Sequence, residues 1–147
     1  MYFYLTAIFS ILTDTISKYS ANHYLVREIS IIWDNLTLKL AHNSWIAFSI
    51  PVYGIVLKSI TILLITGIFA YYIRNEQPKK SRYLDSAFWF IIWGAIGNAI
   101  ERILYSEVTD FIKIKYFAIF NFGDIFINVW VIILLTLYIN KTWTTKK

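Results

Sequence analysis

Two aspartates, Asp110 and Asp124, stand in the stretch "GNAIERILYSEVTDFIKIKYFAIFNFGD", Gly97 to Asp124. The segment between them, Ile112 to Gly123, is able to return as a hairpin and bring the two carboxyls together. Two carboxyls within hydrogen-bond reach tend to share a proton, because both cannot easily be ionised at once. One then acts as general base on a water while the other donates to the carbonyl under attack. Asp124 opens an apolar run that reads as a helix. Negative charge is favoured at a helix N-terminus, so Asp124 is the expected ionised member. The plainer reading of the same residues is an N-cap at Asp124 and a solvated loop residue at Asp110.

The elements that must hold these carboxyls belong to a membrane protein. Of the 147 residues, 58% are hydrophobic, 19% aromatic and 16% charged, with a mean hydropathy of +0.56. A soluble domain is nearer a quarter charged, so this chain has too little polar surface to cover itself in water. Four apolar segments are expected to be spans of about 20 residues: residues 1–21, 51–73, 83–104 and 124–140. They make one polytopic α-helical domain over residues 1–147. The first segment is not read as a signal peptide. It has no basic leading region, Asp14 interrupts its apolar run, and no small-residue cleavage site follows.

The formal charge of +5 is concentrated at span ends. Arg74, Lys79, Lys80 and Arg82 lie between the second and third segments, and Lys141, Lys146 and Lys147 follow the fourth. The positive-inside rule then places both termini in the cytoplasm. The lysines form no continuous stripe, so nucleic acid is not an expected partner. With no cysteine there is neither a disulfide nor a thiolate metal site, and His23 and His42 have no partner at metal-ligand spacing. The outward connections alternate apolar and polar residues at "LTLKLAH" (Leu36–His42) and "FIKIKYF" (Phe111–Phe117). This period of two predicts half-buried strands in a small extracytoplasmic β-sheet on the membrane surface.

Several short motifs resemble those of the lipoprotein signal peptidases (signal peptidase II). "GAIGNAIER" (Gly94–Arg102) resembles the family's G-x-x-GN-x-x-DR. "VTDFI" (Val108–Ile112) resembles V-x-DF, and "FNFGD" (Phe120–Asp124) resembles FN-x-AD. Upstream, "DTISK" (Asp14–Lys18) matches D-x-x-[ST]-K, and "NSWIAFS" (Asn43–Ser49) resembles N-x-GAAFS. All come in family order and together cover essentially the whole chain. The resemblance implies an aspartic endopeptidase of the bacterial cytoplasmic (inner) membrane. Such an enzyme removes signal peptides from diacylglyceryl-modified prolipoproteins, cutting just before the lipidated cysteine. It needs no metal or organic cofactor. Matched motif to motif, the catalytic pair falls on Asp110 and Asp124. Asp14, Lys18, Asn43, Asn98, Arg102 and Asn121 are left to bind substrate or brace the site. The expected partners are the prolipoprotein and membrane lipids, and the chain is expected to act as a monomer with its site near the outer face.

The sequence departs from the family pattern at identifiable places. Glu101 replaces an aspartate before Arg102, which moves the ion pair expected there out by one methylene. Trp45 stands where the family has glycine, Ser106-Glu107 replaces a glycine-containing pair, and Gly123 stands for alanine. Two other classes of function fit some of the same residues. A small proton-coupled transporter would also keep Asp14, Glu101 and Asp124 within the membrane. A family member that has lost catalysis would bind lipoproteins without cutting them.

Overall fold

The computed structural model describes residues 2–44, 54–77 and 81–144. Four long helices and a four-stranded sheet make up the fold: α1 (Tyr2–Tyr24), β1 (Ile29–Ile32), β2 (Leu36–Asn43), α2 (Gly54–Tyr71), α3 (Arg82–Tyr105), β3 (Val108–Ile114), β4 (Ala118–Phe120) and α4 (Phe122–Thr144). A π-helical turn, Tyr72–Glu76, extends α2. Three of the helical segments are long and apolar enough to cross a membrane: Gly54–Glu76, Arg82–Tyr105 and Phe122–Ile139. Four spans were expected from the sequence. The first, α1, is as long as the others, but Ser10, Asp14 and Lys18 along its middle lower its hydropathy.

Helix α3 is the centre of the bundle and packs against α1, α2 and α4. Its start is set by Ser81, whose side chain accepts the Leu84 N–H and whose carbonyl accepts that of Asp85. Its end is Ser106, at φ +65°, a left-handed conformation that glycine enters without strain. That residue lies in the pair where the sequence departs from a glycine-containing motif. Tyr72, Ala87, Phe88, Ile91 and Leu134 form a buried apolar cluster joining the end of α2 to α3 and α4.

The sheet runs in the order β1-β2-β3-β4, and every pair is antiparallel. Both stretches with period-two patterning lie in it: Leu36–His42 within β2, and Phe111–Phe117 across β3 and the turn to β4. β1 was not anticipated, since "ISII" has only four residues, too short a run for a readable period. The β2–β3 ladder pairs Leu38 with Ile112, then shifts register before Ala41 pairs with Asp110, His42 with Thr109 and Asn43 with Val108. Side chains alternate across a strand, so Asn43 and Asp110 share one face while His42 and Thr109 share the other. The β3–β4 hairpin, with Ile112 opposite Phe120, returns the chain so that Asn121 follows directly at the start of α4.

Candidate active site

Asn121 is fully buried and joins the two aspartates. Its Nδ2 donates to Asp110 Oδ1 at 2.7 Å. Its backbone N–H donates to Asp124 Oδ2 at 3.3 Å, and its Oδ1 accepts the Asp124 N–H at 3.0 Å. The last two contacts are a reciprocal capping box that starts α4. The other carboxylate oxygens are held by asparagines from elsewhere in the fold. Asn43 Nδ2 donates to Asp110 Oδ2 at 3.0 Å, and Asn98 Nδ2 donates to Asp124 Oδ1 at 2.9 Å. Each of the four oxygens thus has one protein donor.

Asp110 is only 2% exposed. Burial pushes its carboxyl up to about 6, and the charge of Asp124 adds to the shift. The hydrogen bonds from Asn43 and Asn121 and the charge of Lys18 oppose it.

Behind the aspartates lies a second charged group. Lys18 Nζ sits 2.7 Å from Asp14 Oδ2, 3.0 Å from Glu101 Oε2 and 2.7 Å from Asn98 Oδ1. Its three N–H groups are therefore all used. Asp14 Oδ1 accepts the Gly123 N–H at 2.9 Å, across 109 residues of chain. Glu101 accepts the Thr109 N–H at 3.1 Å and the Thr109 hydroxyl at 2.8 Å. The ion pair expected between Glu101 and Arg102 is thus made with Lys18, which the longer side chain reaches from α3. Arg102 has Asp124, Asp110 and Glu101 as its nearby charges, and its buried Nε has no hydrogen-bond partner among the described residues.

Glycines allow this close packing. A Cβ on Gly97 would lie 2.5 Å from Asp14 Oδ2, and one on Gly94 would lie 2.7 Å from the Gly123 carbonyl oxygen. The motif glycines are therefore the places where α1 and α4 press against α3.

The structure brings seven of the eight site residues expected from sequence into one hydrogen-bonded set: Asp14, Lys18, Asn43, Asn98, Asp110, Asn121 and Asp124. Arg102 stands beside it. The set also includes Glu101, read before as a departure, and Thr109 and Asn22, which drew no attention. Asn22 Nδ2 donates to the Thr109 hydroxyl at 3.0 Å and to the Lys18 carbonyl. A helical i, i+4 relation between Lys18 and Asn22 was the available signal. Trp45 and the rest of its motif to Ser49 lie outside the described residues. A cavity of about 480 Å³ between α1 and α3 is lined by apolar Ile11, Ile96 and Leu104 and by polar Lys18, Glu101 and Thr109. Among the described residues, no three His, Asp or Glu side chains converge as a metal site.

Residues 6–140 match the family described as signal peptidase (SPase) II. The chain belongs to the signal peptidase II family. It is 36% identical over 125 residues to the lipoprotein signal peptidase of Chlorobaculum tepidum, covering 81% of this chain and 73% of that one. It is 32% identical to the lipoprotein signal peptidase of Listeria monocytogenes serotype 4a, covering 92% of this chain and 91% of the relative. Its fold superposes with a TM-score of 0.87 on a solved structure described as a bacterial membrane enzyme, at 26% identity over 99% of this chain and 91% of that one. Signal peptidase II is a membrane peptidase, and this chain is a membrane protein of that kind.

Proposed function

We propose that the chain is an aspartic endopeptidase that cuts the signal peptide from diacylglyceryl-modified prolipoproteins, just before the lipidated cysteine. The observation that carries this reading is the Asn121 bridge between Asp110 and Asp124, in a chain similar to lipoprotein signal peptidases throughout its length. Asp124, in the first turn of α4 and bonded to the Asn121 N–H, is the ionised base. It takes a proton from water, and the water oxygen attacks the scissile carbonyl carbon. Buried Asp110 carries the shared proton and gives it to the carbonyl oxygen. When the tetrahedral intermediate collapses, one of its hydroxyls returns a proton to Asp110, the C–N bond breaks and the amine leaves with the proton that Asp124 took. The nucleophile is water, so no acyl-enzyme forms, and this chemistry calls for neither a metal nor an organic cofactor.

In this reading α1 is the fourth span. Its buried face is polar, with Thr6, Ser10, Asp14 and Lys18, while Leu5, Ile8, Phe9, Leu12 and Ile16 are exposed. Such an inside-out helix is stable only with apolar surroundings outside and polar partners within. The sheet and both aspartates lie at the bundle end where α1 and α3 finish and α2 and α4 begin. Arg74 and Arg82 lie at the opposite end, which the positive-inside rule assigns to the cytoplasm. The active site then stands at the outer face of the inner membrane, where lipidated substrate arrives sideways from the bilayer. The chain forms one domain and acts as a monomer, since one copy supplies every residue of the site.

The test is incubation of purified protein in lipid with a diacylglyceryl-modified prolipoprotein peptide, with products read by mass spectrometry. Fragments separated at the bond before the lipidated cysteine are expected. Binding without cleavage, or cutting at another bond, contradicts the reading.

A further inference from the structure

We propose that Glu101 is a positioning residue that sets the place of Asp110 by holding Thr109, and that it does so as half of a yoke joined by Lys18. Two carboxylates each grip the backbone N–H of the residue just before one of the aspartates. Glu101 holds Thr109, which precedes Asp110, and Asp14 holds Gly123, which precedes Asp124. Lys18 lies between them, 3.0 Å from Glu101 and 2.7 Å from Asp14. One ammonium thus connects the two grips and fixes the spacing of the dyad from behind.

The Thr109 hold is specific in geometry. The carboxylate takes both the N–H and the hydroxyl of one residue, at 3.1 and 2.8 Å. Because that hydroxyl donates to Glu101, it accepts from Asn22 Nδ2, which ties the same point to the end of α1. The hold is needed because the β2–β3 ladder changes register between Leu38 and Ala41. Regular pairing lower in the sheet therefore does not dictate where Asp110 falls. Thr109 points to the face opposite Asp110, so pinning it fixes the strand without occupying the catalytic side.

The catalytic consequence rests on the dyad proposed above, whereas the structural one stands on the hydrogen bonds alone. The experiment therefore reads both. Thr109→Val keeps the branched shape and removes the hydroxyl, Thr109→Ser restores the hydroxyl, and Glu101→Gln weakens the contact with Lys18. For each, kcat and KM are measured across about pH 4 to pH 8, and hydrogen exchange of the Thr109 amide is measured in the full chain. A displaced catalytic group costs rate more than binding, so Thr109→Val and Glu101→Gln are each expected to lower kcat about tenfold or more with KM within about twofold. Asp110, better hydrated, releases its proton more readily, so the alkaline limb of the profile moves to lower pH. Exchange at Thr109 speeds up, and Thr109→Ser returns all three readouts toward wild type. Wild-type kcat in Thr109→Val, or a fall in kcat with an unmoved limb, overturns the inference. If the wild-type protein cuts nothing, the proposed function fails, and exchange alone decides: unchanged protection of Thr109 in the variants overturns the yoke, and lost protection upholds it.

Discussion

Asn121 and Asp124 cap each other: the Asn121 N–H reaches Asp124 Oδ2 at 3.3 Å, and the Asp124 N–H reaches Asn121 Oδ1 at 3.0 Å. The same asparagine donates from its side-chain Nδ2 to Asp110 Oδ1 at 2.7 Å. One residue therefore starts α4, holds the aspartate in its first turn and tethers the aspartate of β3. Losing it removes a helix cap and leaves a buried carboxyl one donor short. Asn121→Ala is expected to cost about 1 kcal/mol or more of stability from the cap alone, read by thermal unfolding in detergent. Cleavage should fall by about a hundredfold, since both members of the proposed dyad are displaced together.

Gly97 faces Asp14, with 2.5 Å between the position of a Cβ and Oδ2, whereas a Cβ on Gly67 in α2 would meet nothing within 4 Å. Gly97→Ala must push Asp14 away from Gly123 and Lys18, and overpacking of this kind typically costs about 1–3 kcal/mol. Gly67→Ala is expected to leave the unfolding temperature unchanged or raise it slightly, because alanine is the better helix former. Thermal unfolding of the two variants side by side checks the contrast.

Lys18 is 4% exposed and neutralises two carboxylates. Lys18→Met leaves buried Asp14 and half-buried Glu101 without a cation, which is expected to destabilise the fold by roughly 3–5 kcal/mol. Adding Asp14→Asn removes one of the stranded charges, so the double variant should be more stable than Lys18→Met alone. Yields of folded protein and unfolding temperatures decide this, and a double variant that is less stable contradicts the pairing.

Asp110 has its carboxyl raised from 3.8 to about 6 by burial. A folded-state value above the unfolded one means that the folded chain keeps its proton longer. The stability this contributes is complete below about pH 4 and is lost as pH rises through about 6, up to roughly 3 kcal/mol by linkage. The wild-type protein is therefore expected to lose thermal stability between about pH 4 and pH 7, and Asp110→Asn to flatten that dependence and to be the more stable of the two at pH 7. Cleavage, which in the proposed mechanism needs the Asp110 proton, should decline over the alkaline part of the same window.

The helices and the motif residues were legible because hydropathy and short spacings are local signals. Asp14 and Lys18 read as a pair on one helical face, and they make that pair at 2.7 Å. What the sequence hid was long-range partnering. Glu101 looked like a weakened ion pair with Arg102, since adjacent residues suggest each other, yet its partner Lys18 comes from α1. Thr109 looked like an ordinary strand residue because nothing local shows that its hydroxyl meets a carboxylate on α3. β1 was invisible for a different reason. Its four residues Ile29–Ile32 are all exposed, and so short a run gives no readable period. Three of the helices pass as spans on composition, while α1 hides its polar face inside and so lowers the very signal that would mark it.

The most direct measurement compares cleavage of a diacylglyceryl-modified prolipoprotein by the wild-type protein with that by Asp110→Asn and Asp124→Asn, each verified as folded by its unfolding temperature. The amides keep nearly the same shape and remove the exchangeable carboxyl proton. The dyad predicts that wild type cuts before the lipidated cysteine and that each variant loses activity by a factor of about a thousand or more while still binding the substrate. Cleavage by either variant at a rate near that of wild type contradicts the account.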